Sequence, residues 1–162
     1  IRSPKDAFKY NIGMIHQHFK LVDVFTATEN IVLGMHDEEK FNLAEAEKKV
    51  RQITERYGFA VDLKKKIYEM SVSEKQTVEI IKVLYRGANI LILDEPFNAL
   101  DYKTYEDVKA IIRMLKAEGK TIFLTSHHYK DIEQLCDQVY SLEDCQLLPI
   151  TEEIAARYRE MD

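Results

Sequence analysis

Ile90-Leu91-Ile92-Leu93-Asp94-Glu95-Pro96 is the stretch on which the fold turns. Four consecutive branched apolar residues offer no polar face to water, so the run reads as a strand buried on both sides. It ends abruptly in two adjacent carboxylates. Downstream, Tyr105, Val108, Ile111, Ile112 and Leu115 mark one face of a helix that Gly119 ends, and Thr121 to Leu124 is another apolar run. A strand, a helix and a strand in that order predict two parallel strands. Asp94 and Glu95 then lie at a carboxyl-terminal sheet edge, where open α/β sheets bind ligands.

Upstream, Ile12 to Ile15 is a short apolar segment leading into His16-Gln17-His18, followed by the cap-like pair Thr26 and Glu29 of a short helix. Leu43, Ala46, Val50, Ile53 and Tyr57 fall three and four apart with Gly58 just beyond them, which predicts an amphipathic helix. A further helix is expected from Ser73 to Arg86, with Val78, Ile81, Leu84 and Tyr85 on its apolar side and Gly87 as its stop. Residues 21–87 are thus mostly helical. After the second apolar run the chain predicts a helix around Asp131 to Cys136, a strand near Val139 to Leu142 and a last helix from Glu152 to Arg159. There is no internal repeat and no low-complexity linker.

With 162 residues, 46% hydrophobic and 31% charged, one domain with a real core is expected. The net charge of -5, with basic residues scattered among acidic ones, shows no nucleic-acid footprint. Cys136 and Cys145 have no neighbours at metal-ligand spacing and suggest neither a disulfide scaffold nor a metal site; a cytosolic setting is expected. No apolar run approaches the roughly 20 residues of a membrane-spanning helix. Ile1 to Ala7 carry neither an initiator Met nor a signal pattern and read as the interior of something longer.

An Asp at the strand end can hold magnesium through its waters while the following Glu polarises the water that attacks a phosphate. The plainer reading is an acidic pair at a helix start. Met70-Ser71-Val72-Ser73-Glu74-Lys75-Gln76 opens a helix whose free N–H groups can meet a phosphate, or is simply capped by Ser71 or Ser73. Thr125-Ser126-His127-His128 again puts polar groups at a strand's carboxyl edge, with His127 able to touch a terminal phosphate. His16 and His18 lack a third ligand and read as rim residues.

In order and spacing, Gln17, the Ser71 segment, Leu93-Asp94-Glu95-Pro96, Asn98-Ala99-Leu100-Asp101 and His127 resemble the Q-loop, signature, Walker B, D-loop and H-loop of ABC transporter ATPases. Up to about Glu95 the likeness is to importers of simple sugars and nucleosides, as in Met14-Ile15-His16-Gln17-His18-Phe19 and Glu29-Asn30-Ile31-Val32-Leu33-Gly34; after Pro96 it is to drug or peptide exporters. The resemblance implies an α/β fold of P-loop NTPase (RecA-like) type with an inserted α-helical subdomain. Residues 1–20 would be core with the Q-loop, 21–87 the helical subdomain, and 88–162 core with Walker B, D-loop and H-loop.

By the same resemblance, Asp94 would serve magnesium, Glu95 would be the general base, His127 would steady the terminal phosphate and Gln17 would sense metal and water. Ser71, Val72, Ser73, Glu74 and Gln76 would face the ATP of a second ABC ATPase domain, in a homo- or heterodimer. A transmembrane permease would be the other partner, and the chain would sit on the inner face of the membrane. Three departures stand out. Ser73 replaces the usual second glycine of the signature, Thr77 replaces a common arginine, and no G-x-x-x-x-G-K-[ST] run occurs. Glycines 13, 34, 58, 87 and 119 are too dispersed to form that Walker A loop. The chain therefore resembles such a domain with its front removed, and the rival expectation is a truncated, non-hydrolysing interaction module. A soluble ABC ATPase of translation or DNA repair is disfavoured by the importer-like stretches.

Overall fold

The computed structural model describes residues 4–34, 42–98 and 100–161. Helix α1 (Pro4–Lys9) leads into strand β1 (Ile12–Ile15); helices α2 (Ala27–Val32), α3 (Leu43–Tyr57) and α4 (Val72–Tyr85) follow, with a short 3₁₀ turn at Ile67–Glu69. The remainder is β2 (Ile90–Asp94), α5 (Tyr102–Ala117), β3 (Thr121–Thr125), α6 (Tyr129–Leu135), β4 (Tyr140–Glu143), β5 (Gln146–Pro149) and α7 (Glu152–Met161).

The expected parallel pairing is present: β1, β2 and β3 form one sheet in that order, with Ile15 opposite Leu93 and Leu93 opposite Leu124. One face of the sheet is packed. Ile15, Leu91 and Leu93 meet Ile80 and Val83 of α4 and Val108, Ile111, Ile112 and Leu115 of α5. The opposite face departs from the expectation of a strand buried on both sides, because Ile90 and Ile92 are only half-buried. Their row neighbours Met14 and Phe123 are 41% and 60% exposed, so among the described residues no helix layer covers that face.

A second apolar cluster joins α2, α3 and α4 through Ala27, Ile31, Val50, Ile67, Val78, Ile81 and Tyr85. Helix α4 belongs to both clusters: its 80 and 83 positions face the sheet, and 78, 81 and 85 face the helices. Local chemistry sets the helix ends as the spacings predict. Thr26 and Glu29 form a reciprocal capping box, as do Ser71 and Glu74, and Gly58 ends α3 in the left-handed region at φ 70°. Removing the cap in Ser71→Ala should lower stability by about 1 kcal/mol, read from the urea midpoint.

Gly13 in β1 is required for space. A Cβ there would stand 2.3 Å from Val83 Cγ1 and 3.0 Å from Ala88 Cβ. The valine is branched and buried and has little room to turn. Gly13→Ala should therefore cost about 1–3 kcal/mol through overpacking, with the denaturant slope unchanged. Two elements have no counterpart in the sequence reading: α1, and strand β5, which pairs antiparallel with the expected strand β4 through a turn that places Asp144 and Cys145 at φ 48° and 62°.

Candidate nucleotide site at the carboxyl edge of the sheet

Because the three strands run parallel, their carboxyl ends share one edge of the sheet. Gln17 follows β1, Glu95 follows β2, and His127 lies two residues beyond β3. Asp94 is the last residue of β2 and is level with Thr125. The Thr125 hydroxyl donates to Asp94 Oδ1 at 2.9 Å and accepts the Glu95 amide at 3.2 Å. The Thr125 carbonyl accepts that same amide, also at 3.2 Å. One threonine thus orients one carboxylate and anchors the backbone of the next.

That anchoring matters because Glu95 has φ 49°, a left-handed conformation that costs a residue with a Cβ about 1–2 kcal/mol. Such strain persists where neighbouring bonds over-determine it, and it concentrates at functional sites. The turn is completed by the Asn98 amide donating to the Glu95 carbonyl at 3.2 Å. His127 Nε2 lies 3.3 Å from Glu95 Oε1; the Glu95 side chain is 15% exposed and the His127 ring 89%. The carboxylate is sheltered and the ring is open to whatever approaches the edge.

The Asp94 donor set suits a hard divalent ion of magnesium type. Among the described residues no cluster of three or more His, Cys, Asp or Glu could cage a metal. Magnesium needs no cage: it commonly takes one or two carboxylates and completes its shell with water and phosphate oxygens. Asp94 is half-exposed with one oxygen committed to Thr125, which fits that mode.

The segment expected to form the signature opens α4. Ser71 caps the helix, its oxygen accepting the Glu74 amide at 3.2 Å, while Glu74 takes the Ser71 amide at 2.8 Å and the Lys65 ammonium at 2.9 and 3.0 Å. The Lys65 bond, then the Ser71 amide, hold the Glu74 carboxyl below its ordinary value. Glu74 is thus internally engaged, while Ser71 and Val72 are exposed. Gln76 departs from its expected place: it is only 5% exposed and lines, with Ile15, Ile80 and Leu93, a cavity on the sheet side. Its position four residues before Ile80 and seven before Val83 puts it on the inward face of α4, a spacing visible in the sequence. In the stretch expected to form the D-loop, Asn98 is exposed and Leu100 half-buried, Asp101 caps α5, and Ala99 lies outside the described residues. Ser73 and Asp101 are brought together, hydroxyl to carboxylate, at 2.7 Å.

Sequence reasoning missed two supports. Thr125 was read only as part of a polar strand end. Glu79, 3% exposed, accepts the Lys20 amide at 2.7 Å and the Lys82 ammonium at 2.8 Å, while Lys82 donates to the Lys20 carbonyl at 3.2 Å. This pair, of which Glu79 is buried, pins to α4 the segment that leaves Gln17. His16 and His18 are exposed rim residues. Cys136 is half-buried and its thiol is pushed up by burial, against use as a nucleophile.

A parallel sheet with helices packed on it and acidic, amide and imidazole groups at its carboxyl edge defines an α/β fold of P-loop NTPase type. The chain belongs to the ABC transporter family, whose model matches residues 2–98. Over 141 residues it is 44% identical to the nucleoside import ATP-binding protein NupA of Lactococcus lactis subsp. cremoris, covering 86% of this chain and 28% of that protein. It is 42% identical to the guanosine import ATP-binding protein NupO of Bacillus subtilis over 141 residues, again 86% of this chain and 28% of that protein. The ribose import ATP-binding protein RbsA of Caldanaerobacter subterraneus subsp. tengcongensis is 36% identical over 148 residues, 89% of this chain and 30% of that protein. The chain thus spans under a third of the length of these relatives, and the likeness to importers runs past Pro96. Among solved structures, a nucleotide-free ATP-binding cassette from an ABC transporter superposes with a TM-score of 0.77 at 20% identity, over 98% of this chain and 68% of that one. A dimeric, post-hydrolysis cassette bound to ADP and Pi gives 0.74 at 21%, over 91% and 66%. At such identity these two likenesses speak to the fold.

Proposed function

We infer that this chain is the part of an ABC transporter nucleotide-binding domain that carries the Q-loop, signature, Walker B, D-loop and H-loop, and that it serves ATP-driven import of a nucleoside or simple sugar. The observation that carries this reading is the single edge where Asp94, Glu95 and His127 meet around Thr125. The names of the similar proteins favour a nucleoside first and a simple sugar second.

Asp94 offers its free oxygen to magnesium, and magnesium when bound neutralises charge on the phosphate oxygens. Glu95, sheltered and fixed at its amide, orients and deprotonates the attacking water. His127, beside Glu95 and exposed, reaches the terminal phosphate, and Gln17 approaches metal and water from the end of β1. Ser71, Val72 and the first turn of α4 face the nucleotide of a second ABC ATPase domain, while Gln76 works from within by packing α4 on the sheet. Residues 21–87 form the helical lever that meets a permease at the inner face of the membrane, and 1–20 with 88–162 form the core. No helix among the described residues is long and apolar enough to cross a membrane, so coupling to transport goes through that partner.

No run of G-x-x-x-x-G-K-[ST] occurs in the 162 residues. The backbone cradle and lysine for the β- and γ-phosphates must come from elsewhere, or the chain acts as a non-hydrolysing module. The two are separated by solute uptake into vesicles holding the chain with its permease. ATP-driven nucleoside or sugar uptake that falls to background in Asp94→Asn supports the first. Uptake indifferent to that substitution overturns it in favour of the module.

A further inference from the structure

Ser73 stands where the family signature has a glycine, and the structure gives its hydroxyl a partner. It donates to Asp101 Oδ2 at 2.7 Å. The same carboxylate closes the first turn of α5, Oδ1 accepting the Thr104 amide at 3.0 Å and Oδ2 the Thr104 hydroxyl at 2.9 Å. The two residues are 28 positions apart and belong to different helices. Glycine has no side chain with which to make this bond.

We propose that Ser73 is a positioning residue, whose hydroxyl ties the first turn of α4 to Asp101 so that the signature segment and the start of α5 are presented to a partner domain as one unit. The consequence for nucleotide contact rests on the function proposed above; the tie itself does not. The bond spans the two helix starts, so neither turn can swing away without leaving a carboxylate or a hydroxyl to find water instead. In that arrangement Asp101 is strongly acidic: the Thr104 amide, the Ser73 hydroxyl and the Thr104 hydroxyl, in that order, hold it down to about 2. These donors from α4 and α5 favour the charged form, so losing one raises the value.

The test is carbon-detected titration of the Asp101 carboxyl together with amide exchange at Glu74, in the parent chain, Ser73→Ala, Ser73→Thr, Asp101→Asn and the Ser73→Ala/Asp101→Asn double variant. Far-ultraviolet circular dichroism confirms that each variant is folded, and Ser73→Gly substitutes for Ser73→Ala if the latter is not. Removing the hydroxyl should move the Asp101 midpoint up toward the ordinary aspartate value, and Ser73→Thr should restore it. Exchange at Glu74, in α4 beside Ser73 and across from Asp101, should quicken several-fold in both single variants and no further in the double. A midpoint unmoved by Ser73→Ala, or exchange effects that simply add, overturns the proposal. Neither measurement contains nucleotide, so a failure of the nucleotide reading appears elsewhere and leaves this result standing.

Discussion

In an ATP-hydrolysing assembly built with this chain, Glu95→Gln lowers turnover by about 10²–10⁴-fold, the range attributed to a positioned general base, while nucleotide affinity stays within a few-fold. The separation follows from the geometry. Glu95 is held through its backbone amide by the Thr125 carbonyl and hydroxyl, each at 3.2 Å, and glutamine keeps both bonds. Glutamine also keeps the length and shape of the side chain and an oxygen for His127 to meet. What disappears is the charge and the capacity to take a proton from water, needed in the transition state and little used in binding. Phosphate release at saturating magnesium-ATP measures the loss. Turnover within threefold of the parent would remove Glu95 from the chemistry and leave its left-handed φ of 49° a matter of turn geometry alone.

The largest stability effect is expected at Lys109 and Asp131. Their side chains are 4% and 3% exposed and lie 3.3 Å apart. Lys109 also donates to Gln134 Oε1 at 2.6 Å and to the Tyr105 hydroxyl at 3.3 Å, and the Tyr105 hydroxyl in turn donates to Asp131. The network joins α5, which follows Asp101, to α6, which follows His127. Lys109→Met removes the cation and leaves the buried Asp131 with the Tyr105 hydroxyl but without its countercharge, at a cost of about 3–5 kcal/mol. Against a total of about 5–15 kcal/mol for a domain, this is a drop in melting temperature of roughly 6–20 °C. Lys109→Met with Asp131→Leu removes both charges and should recover much of the loss. If the double variant is as unstable as the single, the packing of the lysine stem dominates, not its charge.

The same network fixes the sign of a pH effect. Burial works against the Lys109 ammonium, but its bonds to Tyr105 and Asp131 outweigh burial and hold it above the ordinary lysine value. A raised folded value means that the contribution is fully present at neutral pH and is lost as pH rises through it, at strongly alkaline pH. Asp101 behaves in the opposite sense. Its folded value of about 2 lies below the unfolded one, so its contribution is present above the ordinary aspartate range and disappears as pH falls toward 2.

How much of this could be read from the residues differs by element. Where periodicity switches from three-and-four to a bare apolar run, at Tyr85 to Ile90 and at Leu115 to Thr121, the strand-helix-strand order and its parallel sheet were legible. The β4–β5 hairpin was half-hidden: its turn is Asp144-Cys145 in place of a glycine-bearing pair, and β5 is exposed along its whole length. The carboxylate edge was legible because parallel topology alone brings Gln17, Asp94, Glu95 and His127 to one side. Its supports were not, since nothing local marks the Thr125 hydroxyl as the bridge between two carboxylate residues. Glu79 and Lys82, three apart on a helix, read as an ordinary surface pair, yet burial by the Lys20 segment makes them a pin. For Gln76 the motif points outward and the spacing to Ile80 and Val83 points inward, and its 5% exposure follows the spacing.

Magnesium nucleotide is expected to meet this chain at the carboxyl edge of its sheet. Manganese-ATP, added at substoichiometric amounts to isotopically labelled protein, reports the place directly through paramagnetic broadening of amide signals, and weak binding suffices. Gln17, Asp94, Glu95, Thr125 and His127 should broaden first, and Asp94→Asn should abolish the selectivity. Broadening centred elsewhere, or at this edge but indifferent to Asp94→Asn, would contradict it.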